Sequence, residues 1–117
     1  MRGKAEFSLL GRVGKITVFK GVTKVSIASD YSSKDERGEW RENTYWNTVS
    51  VFSEKTIEWI EKGLNPGDLV NIDGRLRESS YQKEGKDVHT VDLVAQTIIL
   101  CASKRRHDSS DDQDEAA

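Results

Sequence analysis

A chain of 117 residues, 32% charged and 35% hydrophobic, is sized for one domain with a compact core. No run nears the roughly 18 apolar residues of a membrane span, and Met1 to Glu6 has neither an apolar signal core nor a transit-peptide composition. The net charge of −2 hides a division: residues 108–117 hold five acids and no base, while residues 1–107 set all 18 bases against 15 acids, a net +3. One cysteine cannot form an internal disulfide, which fits a cytoplasmic protein, and Cys101 is expected to be a buried, inert thiol. With that cysteine and two distant histidines, no zinc set is present and no cofactor is implied.

In chain order, Glu6 to Val13 carries Phe7, Leu9, Leu10 and Val13 and reads as a strand. Gly14 marks a bend before Ile16-Thr17-Val18-Phe19, and Gly11 implies a bulge or a sharp bend of the kind a closing barrel needs. After Lys20-Gly21, Val22 to Ser29 alternates apolar and polar residues and predicts a second strand. Asp30 to Asn43 is polar and charged around Gly38, a long mobile hairpin arm that contains Trp40. That tryptophan either docks on a ligand or folds back on the domain.

Thr44 to Ser53 is rich in aromatic and β-branched residues and predicts the central strand. Tyr45, Asn47, Val49 and Val51 share one face. Trp46, Thr48, Ser50 and Phe52 share the other, where small hydroxyl residues leave room above two large rings. Two readings stand side by side. Either a covering helix or subunit buries the rings, or they form a partly solvated platform of the kind that stacks unpaired bases.

Ser53 is a candidate N-cap for a helix over Glu54 to Lys62, with Ile57, Ile60 and Leu64 inward, Glu58 and Lys62 spaced to pair, and Trp59 packing. Gly63 and Pro66-Gly67 end it. Asp68 to Tyr81 predicts a fourth strand with Val70, Ile72, Gly74 and Leu76 inward. Arg75, Arg77 and Tyr81 then lie on an outer face, either plainly solvated or able to meet phosphate and base. Lys83-Glu84-Gly85-Lys86 predicts a turn, and Val88 to Cys101 a fifth strand whose parity switches near Ala95-Gln96, implying a bulge. The tail, 103–117, has no apolar residue larger than alanine in its last ten positions and is expected to be disordered. Five strands with a helix between the third and fourth predict an all-β fold with one short helix. Residues 1–102 would form a five-stranded OB-fold Greek-key barrel with long hairpin arms, whose ligands cross strands two and three.

These segments resemble the bacterial single-stranded DNA-binding protein (SSB) family. Phe7-Ser8-Leu9-Leu10-Gly11-Arg12-Val13-Gly14 is similar to its first strand. Thr44-Tyr45-Trp46 through Phe52 is similar to its T-E-W-x-x-V…F segment, and Lys62-Gly63…Gly67-Asp68-Leu69-Val70 to Arg77 to its K-G-D-x-V-x-(V/I)-x-G-x-L-R signature. The resemblance implies base stacking on Trp46 and Phe52, with Tyr81 standing where the family has a tryptophan. The family's tryptophan after the second strand is missing. Tyr31 is its nearest substitute, and Trp40 lies further along the arm. Arg75, Arg77, Lys62, Lys34 and Arg41 are the expected phosphate contacts.

The resemblance also implies a non-catalytic role in replication, recombination and repair as a homotetramer or dimer. The tail ends Asp114-Glu115-Ala116-Ala117 and lacks the family's D-D-I-P-F-like tip. That leaves tip-mediated recruitment of replication and repair proteins without its docking residues, and points to a plasmid, phage or mobile-element relative. The competing reading is an OB-fold protein-interaction module, such as a primosome-assembly subunit, with the aromatics as interface core. A nuclease is disfavoured because the carboxylates lie scattered in arm, helix and tail.

Overall fold

Alternation of β-branched and polar residues dominates the chain, and the computed structural model, which describes residues 3–103, folds it accordingly. The elements are β1 (Glu6–Phe19), β2 (Val22–Lys34), β3 (Trp40–Val51), α1 (Glu54–Gly63), β4 (Leu69–Lys83) and β5 (Lys86–Ala102). They close into a barrel in the order β1-β2-β3-β5-β4, with β1 antiparallel to β4 and a short parallel contact of Val49 and Ser50 with Leu93 and Val94. Closure removes the open edges that would otherwise seek a partner. The architecture is the OB barrel with one short helix that the element order predicts.

Inward positions on the strands are β-branched. Val25, Ile27, Val49, Val51, Val70 and Ile72 are fully buried, and Ile60 and Leu64 bring α1 and its C-cap onto them. Each such side chain contributes about 1.5–3 kcal/mol relative to exposure. Ser53 caps α1 as expected, its Oγ accepting from the Thr56 amide at 3.4 Å, and the Leu64 amide closes the last turn on Ile60 O at 3.0 Å. Glu58 and Lys62 form no ion pair among the described residues. Trp59 is partly exposed and borders a shallow hollow with Lys55, Thr56 and Ile98.

Several expectations need adjustment. Gly11 holds regular register with β4; it is needed because a Cβ there would strike the Ala28 carbonyl oxygen. The irregularity in β1 falls instead between Val13 and Ile16, so Gly14 and Lys15 form the bulge. The Asp30–Asn43 arm is largely strand. β2 and β3 stay paired from Thr23 opposite Val51 out to Lys34 opposite Trp40, leaving only a short turn. Cys101 is exposed, because a second register shift beside Leu69 leaves it as an extra residue on β5.

The parity switch does produce a bulge. Asp73 pairs with Thr97 and Gly74 with Ala95, so Gln96 is the extra residue. The Lys83–Lys86 turn is a two-residue hairpin loop with φ of 53° at Glu84 and 79° at Gly85, the geometry that matches strand twist. The acidic run from 108 lies outside the described residues.

Candidate nucleic-acid interface

Side chains two apart on a strand share a face, so Trp40, Trp46 and Phe52, each six residues from the next, line one side of β3 and its continuation. At about 3.3 Å per residue the rings are spaced roughly 20 Å along the strand. All three are uncovered: Trp40 is 68% exposed, Trp46 60% and Phe52 44%. Among the described residues no helix or strand of the protomer seals them, so of the two coverings that the sequence allows the helix is removed. Between them the face carries Thr44 and Thr48 from β3, with Ala28 paired to Trp46 and Ser26 to Thr48.

Each ring has a distinct support. The outer edge of the Trp46 indole lies over Gly14. A Cβ at Gly14 would run into ring carbon Cζ3 and sit 2.8 Å from Cη2 and 2.9 Å from Ser26 Oγ. Ser26 Oγ in turn accepts from the Lys15 amide at 2.7 Å, fixing the bulge that brings Gly14 beneath the ring. Trp40 carries Lys34 Nζ 5.2 Å from its ring centroid, across the last pair of the arm.

The Arg77 guanidinium carbon stands 5.3 Å from the Phe52 centroid. Arg77 is steadied by Asp92 (Nη2 to Oδ2 3.6 Å), and Asp92 also accepts from Ser79 Oγ at 3.0 Å. Cation–ring contacts of this exposed kind are worth about 0.5–1 kcal/mol, weak enough for a competing base or phosphate to remodel. Tyr81 lies exposed further out on the same face of the β4–β5 arm as Arg77 and Ser79.

Other expected contacts stand apart. Tyr31 is on the opposite face of the β2–β3 ribbon from Trp46, where its ring meets Tyr45 edge-on at 5.6 Å. Arg41 is held by Asp35, Nε to Oδ2 at 2.9 Å, rather than standing free. Asp35 organises the arm's turn, its Oδ1 accepting from the Arg37 and Glu39 amides at 2.9 Å each. The Arg41 guanidinium and then these amides hold its carboxyl below the ordinary carboxylate range. Lys62 is exposed on α1, and Arg75, two residues from Arg77 on β4, borders a hollow formed with Gly3 to Glu6. Asp92 escapes the sequence reading because it acts across a register that periodicity does not specify, and Asp35 because its role depends on where the arm turns. Among the described residues no group of three or more His, Cys, Asp or Glu could hold a metal ion, and no helix is long and apolar enough to cross a membrane.

Residues 5–101 match the model of the single-strand binding protein family. The chain belongs to that family. A single-stranded DNA-binding protein of Malacoplasma penetrans is 32% identical over 90 residues, covering 76% of this chain and 48% of its own. One from Staphylococcus aureus (strain MRSA252) is 33% identical over 92 residues, covering 78% and 57%. The chain thus spans about half the length of these relatives. Among solved structures, a Plasmodium falciparum SSB in complex with ssDNA superimposes with a TM-score of 0.71 at 21% identity, over 86% of this chain and 96% of that one, a likeness of fold. The two aromatics expected to serve beyond β2 part company. Trp40 shares a face with Trp46, and Tyr31 does not.

Proposed function

We propose that this protein binds single-stranded DNA with little sequence preference, stacking bases on Trp46, Phe52 and Trp40. The observation that carries the reading is the row of three uncovered rings on one strand face, two of them bracketed by Lys34 and Arg77. Every base has a π-face and the backbone is uniform, so such a surface reads the strand's form rather than its order. Tyr81 would extend the path along the β4–β5 arm, and Arg75, Lys62 and Arg41 would act at its margins. Tyr31, on the other side of the arm, would engage only a strand that wraps it.

In this reading the protein is a non-catalytic, cytoplasmic binder that needs no cofactor. It shields transient single strands during replication, recombination and repair. Residues 1–102 form the binding domain and 103–117 an acidic tail that competes with DNA for the basic surface. Assembly of several copies is supported by Leu10 and Ile99, exposed on either side of Asn71 on the outer sheet. A dimer or tetramer would cover them.

Binding to oligo-dT measured across a salt series tests the reading. Log affinity should fall against log salt by about 0.7 for each phosphate neutralised, hence by about 1.4 or more if Lys34 and Arg77 each meet one. A flat response would remove phosphate contact as a source of affinity.

A further inference from the structure

Between Arg77, which stands over the Phe52 ring, and the exposed Tyr81, one face of the β4–β5 arm carries a set of polar side chains. Arg77 pairs across the ladder with Asp92 and Ser79 with Thr90, so all four share that face. Ser79, Thr90 and Asp92 are half-buried, which limits their freedom to rearrange.

The hydroxyl hydrogens of the set can be assigned one by one. A carboxylate has none to give, so Ser79 Oγ donates its only one to Asp92 Oδ2 at 3.0 Å. The 3.0 Å contact between Ser79 Oγ and Thr90 Oγ1 is then donated by Thr90. Arg77 Nη2 also turns to Oδ2, at 3.6 Å. Both hydroxyl hydrogens are therefore used within the set. What is left over is acceptor capacity alone: Asp92 Oδ1, which has no partner among the described residues, and the lone pairs of Thr90 Oγ1.

Such a patch sorts the parts of a nucleotide. A phosphate is repelled by the carboxylate and goes to Arg77. A carbonyl edge sets lone pairs against lone pairs. An exocyclic amino group brings hydrogens to acceptors that lack them, and a hydrogen bond to a charged acceptor is roughly twice as strong as a neutral one. Cytosine, adenine and guanine carry that group, whereas thymine and uracil offer one N3–H flanked by two carbonyls.

We infer that Asp92, with Thr90 beside it, accepts from the amino group of a base lying between Phe52 and Tyr81. An otherwise sequence-tolerant surface thereby prefers amino-bearing bases at this one point. The inference rests on the single-stranded DNA reading above and adds base selectivity to it. Ser79 is the positioning residue, holding the carboxylate in place while Arg77 exchanges it for a phosphate.

Oligo-dC and oligo-dU of equal length are the probes, because cytosine differs from uracil only in the amino group and the bare N3 beside it. Affinity of the full chain for each is measured at slightly alkaline pH, where oligo-dC stays single-stranded. Asp92→Asn keeps the side chain's shape and adds two donors, so the dC-to-dU affinity ratio should fall by about fivefold or more. Ser79→Ala should lower the ratio by a smaller factor. In the wild type, an oligonucleotide of N4,N4-dimethylcytosine, whose amino group has no hydrogen, should bind several-fold more weakly than oligo-dC. An unchanged ratio in Asp92→Asn, with both affinities moving together, would reduce Asp92 to a partner for Arg77 and overturn the base contact while the main reading stands. Equal wild-type binding of the dimethylated and ordinary oligo-dC would overturn it without recourse to a variant. If the wild type binds neither probe, both readings fall.

Discussion

Trp46→Ala is expected to weaken binding to oligo-dT by about 1–3 kcal/mol, roughly five- to 150-fold, while the barrel keeps its stability. The two halves of that expectation come from different parts of the structure. The indole is largely exposed and is absent from the core, so its loss leaves Val25, Ile27, Val49 and their neighbours packed as before. It is also the ring with the most specific seat, lying over a glycine that leaves no Cβ in its way and beside a serine tied to the β1 bulge. A ring held in place before the ligand arrives loses less conformational freedom on stacking than a loose one. Affinity by titration and stability by denaturant midpoint separate the outcomes. A folded Trp46→Ala protein with wild-type affinity would remove this ring from the binding surface. A protein that unfolds would show that the indole is structural.

The second large effect concerns the barrel itself. Gly74→Val is expected to cost at least about 2 kcal/mol of stability, in the range of overpacked core substitutions. Gly74 lies opposite Phe7 on β1 and beside the Gln96 bulge on β5, where three strands are drawn together as the barrel closes. A Cβ there would collide with the Val94 carbonyl oxygen, lie 2.9 Å from the Val94 carbonyl carbon and 2.8 Å from Phe7 Cε1. Two of those three neighbours are backbone and cannot rotate aside. Gly63→Ala is the control. It ends α1 with nothing within 4 Å of a new Cβ, so it should leave stability unchanged or raise it by about 0.4–1 kcal/mol. Urea midpoints report both. Equal stability of Gly74→Val and the wild type would contradict the crowding at the closure.

How much of this could be read before folding depends on whether a feature is local. The strands announce themselves through alternating valines and isoleucines, the helix through Ser53 and the Ile57, Ile60, Leu64 spacing, and the β5 bulge through the parity switch at Gln96. Each is a pattern within one segment, fixed by which residues must be buried. The arms are harder. Both faces of β2 and β3 beyond Ser29 meet solvent, so no alternation marks Asp30 to Lys34 as strand, although pairing continues to Trp40.

Facing across strands is harder still. Tyr31 and Trp40 look equivalent as aromatics near the arm, and only the register of β2 against β3 divides them. The bulge in β1 could have been placed at either Gly11 or Gly14, since both glycines are required by close approach. The contact that requires Gly14, the Trp46 ring, comes from a strand more than thirty residues away in the chain. Cys101 reads as core from its apolar neighbours, and one extra residue in β5 turns it outward.

The whole account turns on rings that are open in the free protein and occupied in the complex. Intrinsic tryptophan emission, followed while oligo-dT is added at low salt, reports that change directly. Strong, saturable quenching that Trp46→Phe reduces, and that Trp46→Phe with Trp40→Phe largely removes, is the predicted result. Emission that stays constant while the DNA demonstrably binds would contradict stacking on this face.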